Sequence, residues 1–285
     1  MTTATRSALR TPLCDLLGIT YPICQAGMGY VARSALAAAV SEAGGLGVIA
    51  AAQFTRAELK QEIRRVRDLT DKPFGVDILF ATVRAAGEEA ERFTDAVRGW
   101  VEVTLEERVP VLAAGLGNPG PVTADAHRQG MKVMALCGNV KQARDHVANG
   151  VDIVIAQGHE AGGHTGRIAG LVLIPAVIDA VSPVPVVAAG GVADGRGLVA
   201  ALALGAVGVW LGTRFIATPE AYGHVNYKNK IVAIDEEGTR EQGDVDNGNA
   251  PCGQSAGLIR DIRPASAVVR ALVEEAEAVL ARLTR

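Results

Sequence analysis

The chain has 285 residues, with 28 Lys or Arg against 31 Asp or Glu and a formal charge of −3. Nearly half of it (49%) is apolar, which supports a large core and excludes intrinsic disorder, while the interspersed charges and scattered aromatics give no footing for nucleic-acid binding. The four cysteines (Cys14, Cys24, Cys137, Cys252) lie too far apart for a zinc site or disulfide framework, no stretch reaches the roughly 18 apolar residues of a membrane helix, and Met1–Pro12 lacks the apolar run of a signal peptide. A cytoplasmic protein without a metal or a membrane partner is expected.

In chain order, eight short apolar runs recur every twenty to thirty residues. They are Pro22–Gln25, Leu46–Ala51, Phe74–Leu79, Val109–Ala114, Lys132–Leu136, Asp152–Gln157, Pro185–Ala189 and Val207–Leu211. Their continuous apolarity fits strands covered on both faces, and the spacing is that of one βα unit. The stretches between them read as helices. Arg56–Arg67 sets Leu59, Ile63 and Val66 on one side, Leu198–Leu204 follows Asp194-Gly195-Arg196-Gly197, and Pro264–Leu283 aligns Val268, Leu272, Val279 and Leu280. Eight such units predict an α/β protein, a (β/α)8 barrel forming a single domain over residues 1–285. Between strand 8 and the last helix the pattern fails, and residues 216–252 are expected to form an irregular lid or loop, with Asp235–Ala250 acidic and rich in Gly and Asn.

Glycine gathers at the predicted C-terminal strand ends, the rim where such barrels bind ligands. Gly27 and Gly29 follow strand 1, Gly115 and Gly117 strand 4, and Gly158, Gly162 and Gly163 strand 6. Gly190-Gly191 and Gly212-Thr213 follow strands 7 and 8, where backbone amides and a hydroxyl can cradle a phosphate. The alternative is that these glycines only turn the chain. The loop Gln157–Gly166 carries His159 and His164. Position and glycine density favour His164 as an acid–base group, since an imidazole titrates near neutrality, and His159 as structural or exposed. His127, His146 and His224 are expected on the surface, and Cys24 and Cys137 in the core with a minor functional reading left open.

Several motifs carry a family likeness: Pro22-Ile23-Cys24-Gln25-Ala26-Gly27-Met28, Ala43-Gly44-Gly45-Leu46-Gly47, Pro73-Phe74-Gly75-Val76, Gln157-Gly158-His159-Glu160-Ala161-Gly162-Gly163-His164, Ala188–Arg196, Leu211-Gly212-Thr213-Arg214-Phe215 and Gly253–Ile259. Through them the chain resembles the nitronate monooxygenase family, once called 2-nitropropane dioxygenases, whose relatives include NAD(P)H-dependent quinone reductases and flavin-dependent enoyl-acyl-carrier-protein reductases. The resemblance implies FMN at the barrel mouth. Gly27, Met28, Gly29 and Gly162 would lie beside the ring, Ala189, Gly190, Gly191, Gly212 and Thr213 would hold the phosphate, and His164 would be the active-site histidine.

There are three departures from the family pattern. Asp77 stands where relatives usually carry Asn, Leu136 stands where some place Lys, and the lid segment is short. The implied activity is oxidation of alkyl nitronates by O2 to carbonyl compounds and nitrite. The alternatives are NAD(P)H-dependent reduction of a quinone or enoyl thioester and, in another class, a flavin-free phosphate-binding isomerase or aldolase. The expected partners are accordingly a small molecule (a nitronate, or NAD(P)H plus an acceptor), with a homodimer left open.

Overall fold

The computed structural model describes residues 9–80, 82–83, 92–235 and 251–284. All eight predicted runs form parallel strands: β1 (Ile23–Gln25), β2 (Gly47–Ala50), β3 (Phe74–Leu79), β4 (Val111–Leu116), β5 (Lys132–Cys137), β6 (Ile153–Gln157), β7 (Val186–Ala189) and β8 (Gly208–Leu211). Each pairs with its neighbour in sequence, and β8 pairs back to β1 with Cys24 opposite Trp210. The seam between β1 and β2 is narrow, a single parallel bridge from Cys24 to Leu46. There the Gln25 side chain replaces a strand ladder: its Nε2 donates to the Val48 carbonyl (3.1 Å) and its Oε1 accepts from the Val48 amide (3.0 Å). This closes the (β/α)8 barrel.

The apolar runs divide between two environments because successive side chains on a strand point to opposite faces. Cys24, Val48, Val111, Ala113, Met134, Ile153, Ile155, Val187, Ala189 and Trp210 fill the barrel, and helix α1 (Pro12–Leu17) adds Leu13, Cys14 and Leu17 to the same cluster. The alternate residues, such as Val76, Leu112, Val154 and Val209, face the surrounding helices.

The helices are α2 (Ser34–Glu42), α3 (Arg56–Leu69), α4 (Asp95–Glu106), α5 (Gly120–Arg128), α6 (Val140–Ala148), α7 (Gly170–Val181), α8 (Gly195–Ala203), the short α9 (Thr213–Ile216), α10 (Val225–Ala233) and α11 (Ala265–Leu283). Local chemistry starts several of them. Thr55 and Glu58 form a reciprocal capping box on α3, and the Asp194 carboxylate accepts from the Arg196 and Gly197 amides at the start of α8. Asp194 is therefore committed to a helix end.

Two expectations need correction. Strand β4 begins at Val111 and not at Val109, because the Val109 amide donates to Thr104 O at the end of α4 and Pro110 has no N–H to give. The segment 216–252 is not irregular throughout. Val225–Ala233 is helical, started by His224, whose Nδ1 accepts from the Asn226 amide, and anchored by the fully buried Ile231. Burial against the barrel stabilises this helix, although its sequence shows little periodicity. Most of Asp235–Ala250 lies outside the described residues, as do residues 1–8. Among the described residues, no helix is long and apolar enough to cross a membrane.

Candidate functional site at the barrel mouth

The C-terminal strand ends converge on one rim. A cavity of about 380 Å³ opens there over β4, β5 and β6, lined by Gly115, Leu136, Cys137, Gln157, His164 and Gly166, among others. His164 reaches it from the β6–α7 loop, directly after Gly163, whose φ of +77° is a conformation that glycine adopts without strain. Glu160, which the sequence reading did not single out, sets the course of that loop. Its carboxylate accepts from the Gly170 amide at the start of α7 (2.9 Å), and its carbonyl accepts from the Gln254 amide (2.8 Å). The only sequence signal for this was a carboxylate ahead of a helix lacking a capping residue of its own. His159 is exposed, 3.5 Å from Glu160.

Asp77, near the end of β3, is 6% exposed and lies between two glycines. A Cβ at Gly27 would fall 2.3 Å from its Oδ2, and one at Gly115 would fall 2.7 Å from its Oδ1. Burial pushes the carboxyl up to about 8, against the opposing pull of the Gly115 backbone amide. Oδ1 is buried without a hydrogen-bond partner. Gly115 thus links Asp77 to the cavity that His164 lines.

The next sector, at the ends of β7 and β8, holds the other candidates. Gly190 and Gly191 have φ of +92° and +72°, and a Cβ on Gly190 would meet the Ala161 amide at 3.0 Å. Ala189 is buried at the end of β7. Gly212 lies under Met28, whose Sδ would be 3.4 Å from an added Cβ, whereas Gly29 faces open space. The buried Thr213 hydroxyl accepts from the Gly253 amide (2.9 Å), which leaves its own proton available to donate. Gly162 packs against the backbone of Cys252 and Gly253. The structure therefore places Gly115 and His164 on the cavity wall, Asp77 and Gly27 behind Gly115, and Met28, Gly162, Ala189, Gly190, Gly191, Gly212 and Thr213 in the neighbouring sector of the rim. The cavity itself does not extend to Gly190, Gly191, Gly212 or Thr213.

His146 corrects the sequence reading. It was expected on the surface, yet it is 5% exposed and lines the cavity. Its Nε2 lies 3.0 Å from Leu136 O, Nδ1 has no partner, and burial lowers its basicity. The sequence signal was its place on the inner side of α6 beside Ala143, which is also buried. His127 and His224 are exposed as expected. Cys24 is wholly inside the barrel, and burial pushes the Cys137 thiol up to about 12, so neither is poised as a thiolate. All four cysteines are free and buried, and no cluster of three or more metal-ligating side chains occurs among the described residues.

A closed parallel barrel with glycine-rich loops and a histidine at its C-terminal rim has the architecture of a barrel enzyme that binds its ligands at that rim. The family model for nitronate monooxygenase matches residues 10–241, and the chain belongs to that family, whose cofactor is FMN. An indene-carboxyl-CoA dehydrogenase of Rhodococcus jostii is 43% identical over 227 residues, covering 80% of this chain and 61% of that protein. This chain thus spans about three-fifths of the dehydrogenase's length. A probable nitronate monooxygenase of Staphylococcus haemolyticus is 35% identical over 264 residues, covering 80% and 73% of the two chains. Among solved structures, FabK from Thermotoga maritima superposes with a TM-score of 0.88 at 34% identity, covering 97% of this chain and 99% of that one.

The residues present fit FMN. The positive-φ glycine pair after β7 and the Gly212-Thr213 step after β8 are a donor set of the kind that takes a phosphate, and Asp77 Oδ1 is a buried polar atom still without a partner.

Proposed function

We propose that this oxidoreductase oxidises alkyl nitronates with O2 to carbonyl compounds and nitrite. Gly190, Gly191, Gly212 and Thr213, with Ala189, would hold the FMN phosphate, while Gly27, Met28, Gly29, Asp77 and Gly162 would border the ring. Bound there, FMN supplies the electron chemistry, and the protein supplies position and electrostatics.

The observation that carries the reading is the placement of His164, an imidazole on the wall of a rim cavity whose lining also includes Gly115, Leu136, Cys137, Gln157, the buried His146 and the exposed Asp145. An anionic nitronate entering it finds His164 as a hydrogen-bond donor. With a neutral nitroalkane the same ring, unprotonated, takes the α-proton as a general base. Leu136 and the buried Cys137 limit hydration of the bound anion from the β5 side. With propionate 3-nitronate under air, the FMN-loaded protein is expected to release nitrite. His164→Ala should cut that rate by about 10²- to 10⁴-fold while FMN is retained. Unchanged turnover in the variant would remove His164 from the chemistry.

A second reading is favoured by the 43% identity to a carboxyl-CoA dehydrogenase: removal of hydrogen from, or its addition to, an acyl thioester, with a nicotinamide nucleotide as the redox partner. Anaerobic bleaching of the FMN band by NADH or NADPH, with no nitrite from nitronate in air, would establish this reading in place of the first.

A further inference from the structure

Asp77 is a carboxyl group where a carboxylate is costly. It is 6% exposed, its register neighbours are Ala50 on β2 and Ala113 on β4, and from the loop after β1 it faces Gly27. No charged side chain compensates it from any of these elements. The one opposing influence is the Gly115 backbone amide. A buried ionised carboxyl without a cationic partner takes up a proton. The two flanking glycines show that this space is shaped around the carboxyl, since a Cβ at either would overlap its oxygens. Gly27 is also the first of the three residues expected beside the flavin ring, so Asp77 stands one glycine away from the ring's border.

We propose that Asp77 is the neutral hydrogen-bond donor of the cofactor site, holding FMN as the protonated acid, so that its ionisation releases the cofactor. This deepens the reading above and rests on FMN occupying the barrel mouth. The acid's O–H points a donor at an acceptor atom of the ring. Loss of the proton leaves two acceptors facing each other across a dry contact, and the binding-competent fraction of the protein is then the protonated fraction. Apparent affinity scales with that fraction, so the dissociation constant should rise roughly tenfold between pH 7 and pH 9. Asp77→Asn keeps the shape and an N–H donor but cannot ionise.

The test is FMN titration of the apoprotein by flavin fluorescence from pH 6.5 to 9.5, for wild type and Asp77→Asn. The variant also absorbs any effect of the phosphate's or the flavin's own titration. The expected result is wild-type affinity that falls with pH and variant affinity that does not. Parallel profiles, or wild-type affinity that rises with pH, would overturn the proposal. A second readout needs no cofactor: the infrared band of a protonated carboxyl should be present in the wild-type apoprotein at pH 7 and missing from Asp77→Asn. Absence of that band also overturns the proposal. Failure of the wild type to bind FMN at pH 6.5 would instead sink the cofactor site itself, and this inference with it.

Discussion

Arg214 follows Thr213 directly, and its side chain is only 7% exposed. Its guanidinium donates to Ala217 O (3.2 Å) and to Asp261 O (3.0 Å), and it pairs with the Asp261 carboxylate at 3.1 Å. These bonds tie the exit of β8 to the chain entering α11. Arg214→Met keeps the approximate length and loses every one of them. Each buried carbonyl left without a donor costs about 1–3 kcal/mol. The carboxylate costs less, because Asp261 is 39% exposed and keeps Arg263 as a partner. Burial already disfavours the Arg214 cation, and removing that penalty offsets part of the loss. The net expectation is a destabilisation of about 3 kcal/mol, which for a chain of this size lowers Tm by about 5 °C. Equilibrium urea unfolding followed by far-ultraviolet circular dichroism measures it, with an unchanged m-value as the check on two-state behaviour. Arg214→Lys should recover part of the loss, since an ammonium can serve one carbonyl but cannot span both and the carboxylate. A Met variant as stable as wild type would refute the accounting and show the cluster to be energetically neutral.

Other outcomes follow from the same geometry. Asp77 is protonated in the folded chain and ionised in the unfolded one between about pH 4 and pH 8, so unfolding releases a proton there and stability falls as pH rises through that window. Wild-type stability should decline by about 4 kcal/mol from pH 4 to pH 7 relative to Asp77→Asn, and a constant difference between the two across that range would contradict the burial argument. Gly47→Ala would set a Cβ 1.8 Å from Ala37 O, within the backbone of α2, and is expected to cost about 3 kcal/mol or more. Soluble, wild-type-like unfolding of that variant would show that α2 can shift. Gly190→Ala adds a side chain at φ +92° against the Ala161 amide and should weaken FMN retention on gel filtration. Full retention would argue that this loop does not hold the phosphate.

The barrel was legible because its signal is periodic. Eight β-branched apolar runs at βα spacing can be covered on both faces in few ways, and glycines at the strand ends mark where the chain turns at the rim. The candidate site was partly legible for the same reason: Gly27, Gly190, Gly191 and Gly212 stand at strand ends that any barrel brings to one rim, and the loop of His164 leaves from one of them. The helix at Val225–Ala233 was not legible, since contacts with distant residues stabilise it and no amphipathic stripe of its own announces it. Why Asp77 would hold a proton could not be read either. In sequence it is one acidic residue among 31, and its proton depends on Gly27 and Gly115, residues fifty and thirty-eight positions away, closing around it.

His146 makes the same point from the other side. Its neighbours in sequence, Asp145 and Val147, describe an ordinary surface helix, yet the packing of α6 turns the ring under Leu136 O and into the cavity wall. Residue order alone determined which segments are strands, where the chain can bend and which loops emerge at the C-terminal rim, because those properties are local and repeat. Which charges survive, which imidazole is buried and which glycine is indispensable were settled by tertiary contact. The free energy of a charge or a missing Cβ depends on what surrounds it, and those surroundings come together from distant parts of the chain.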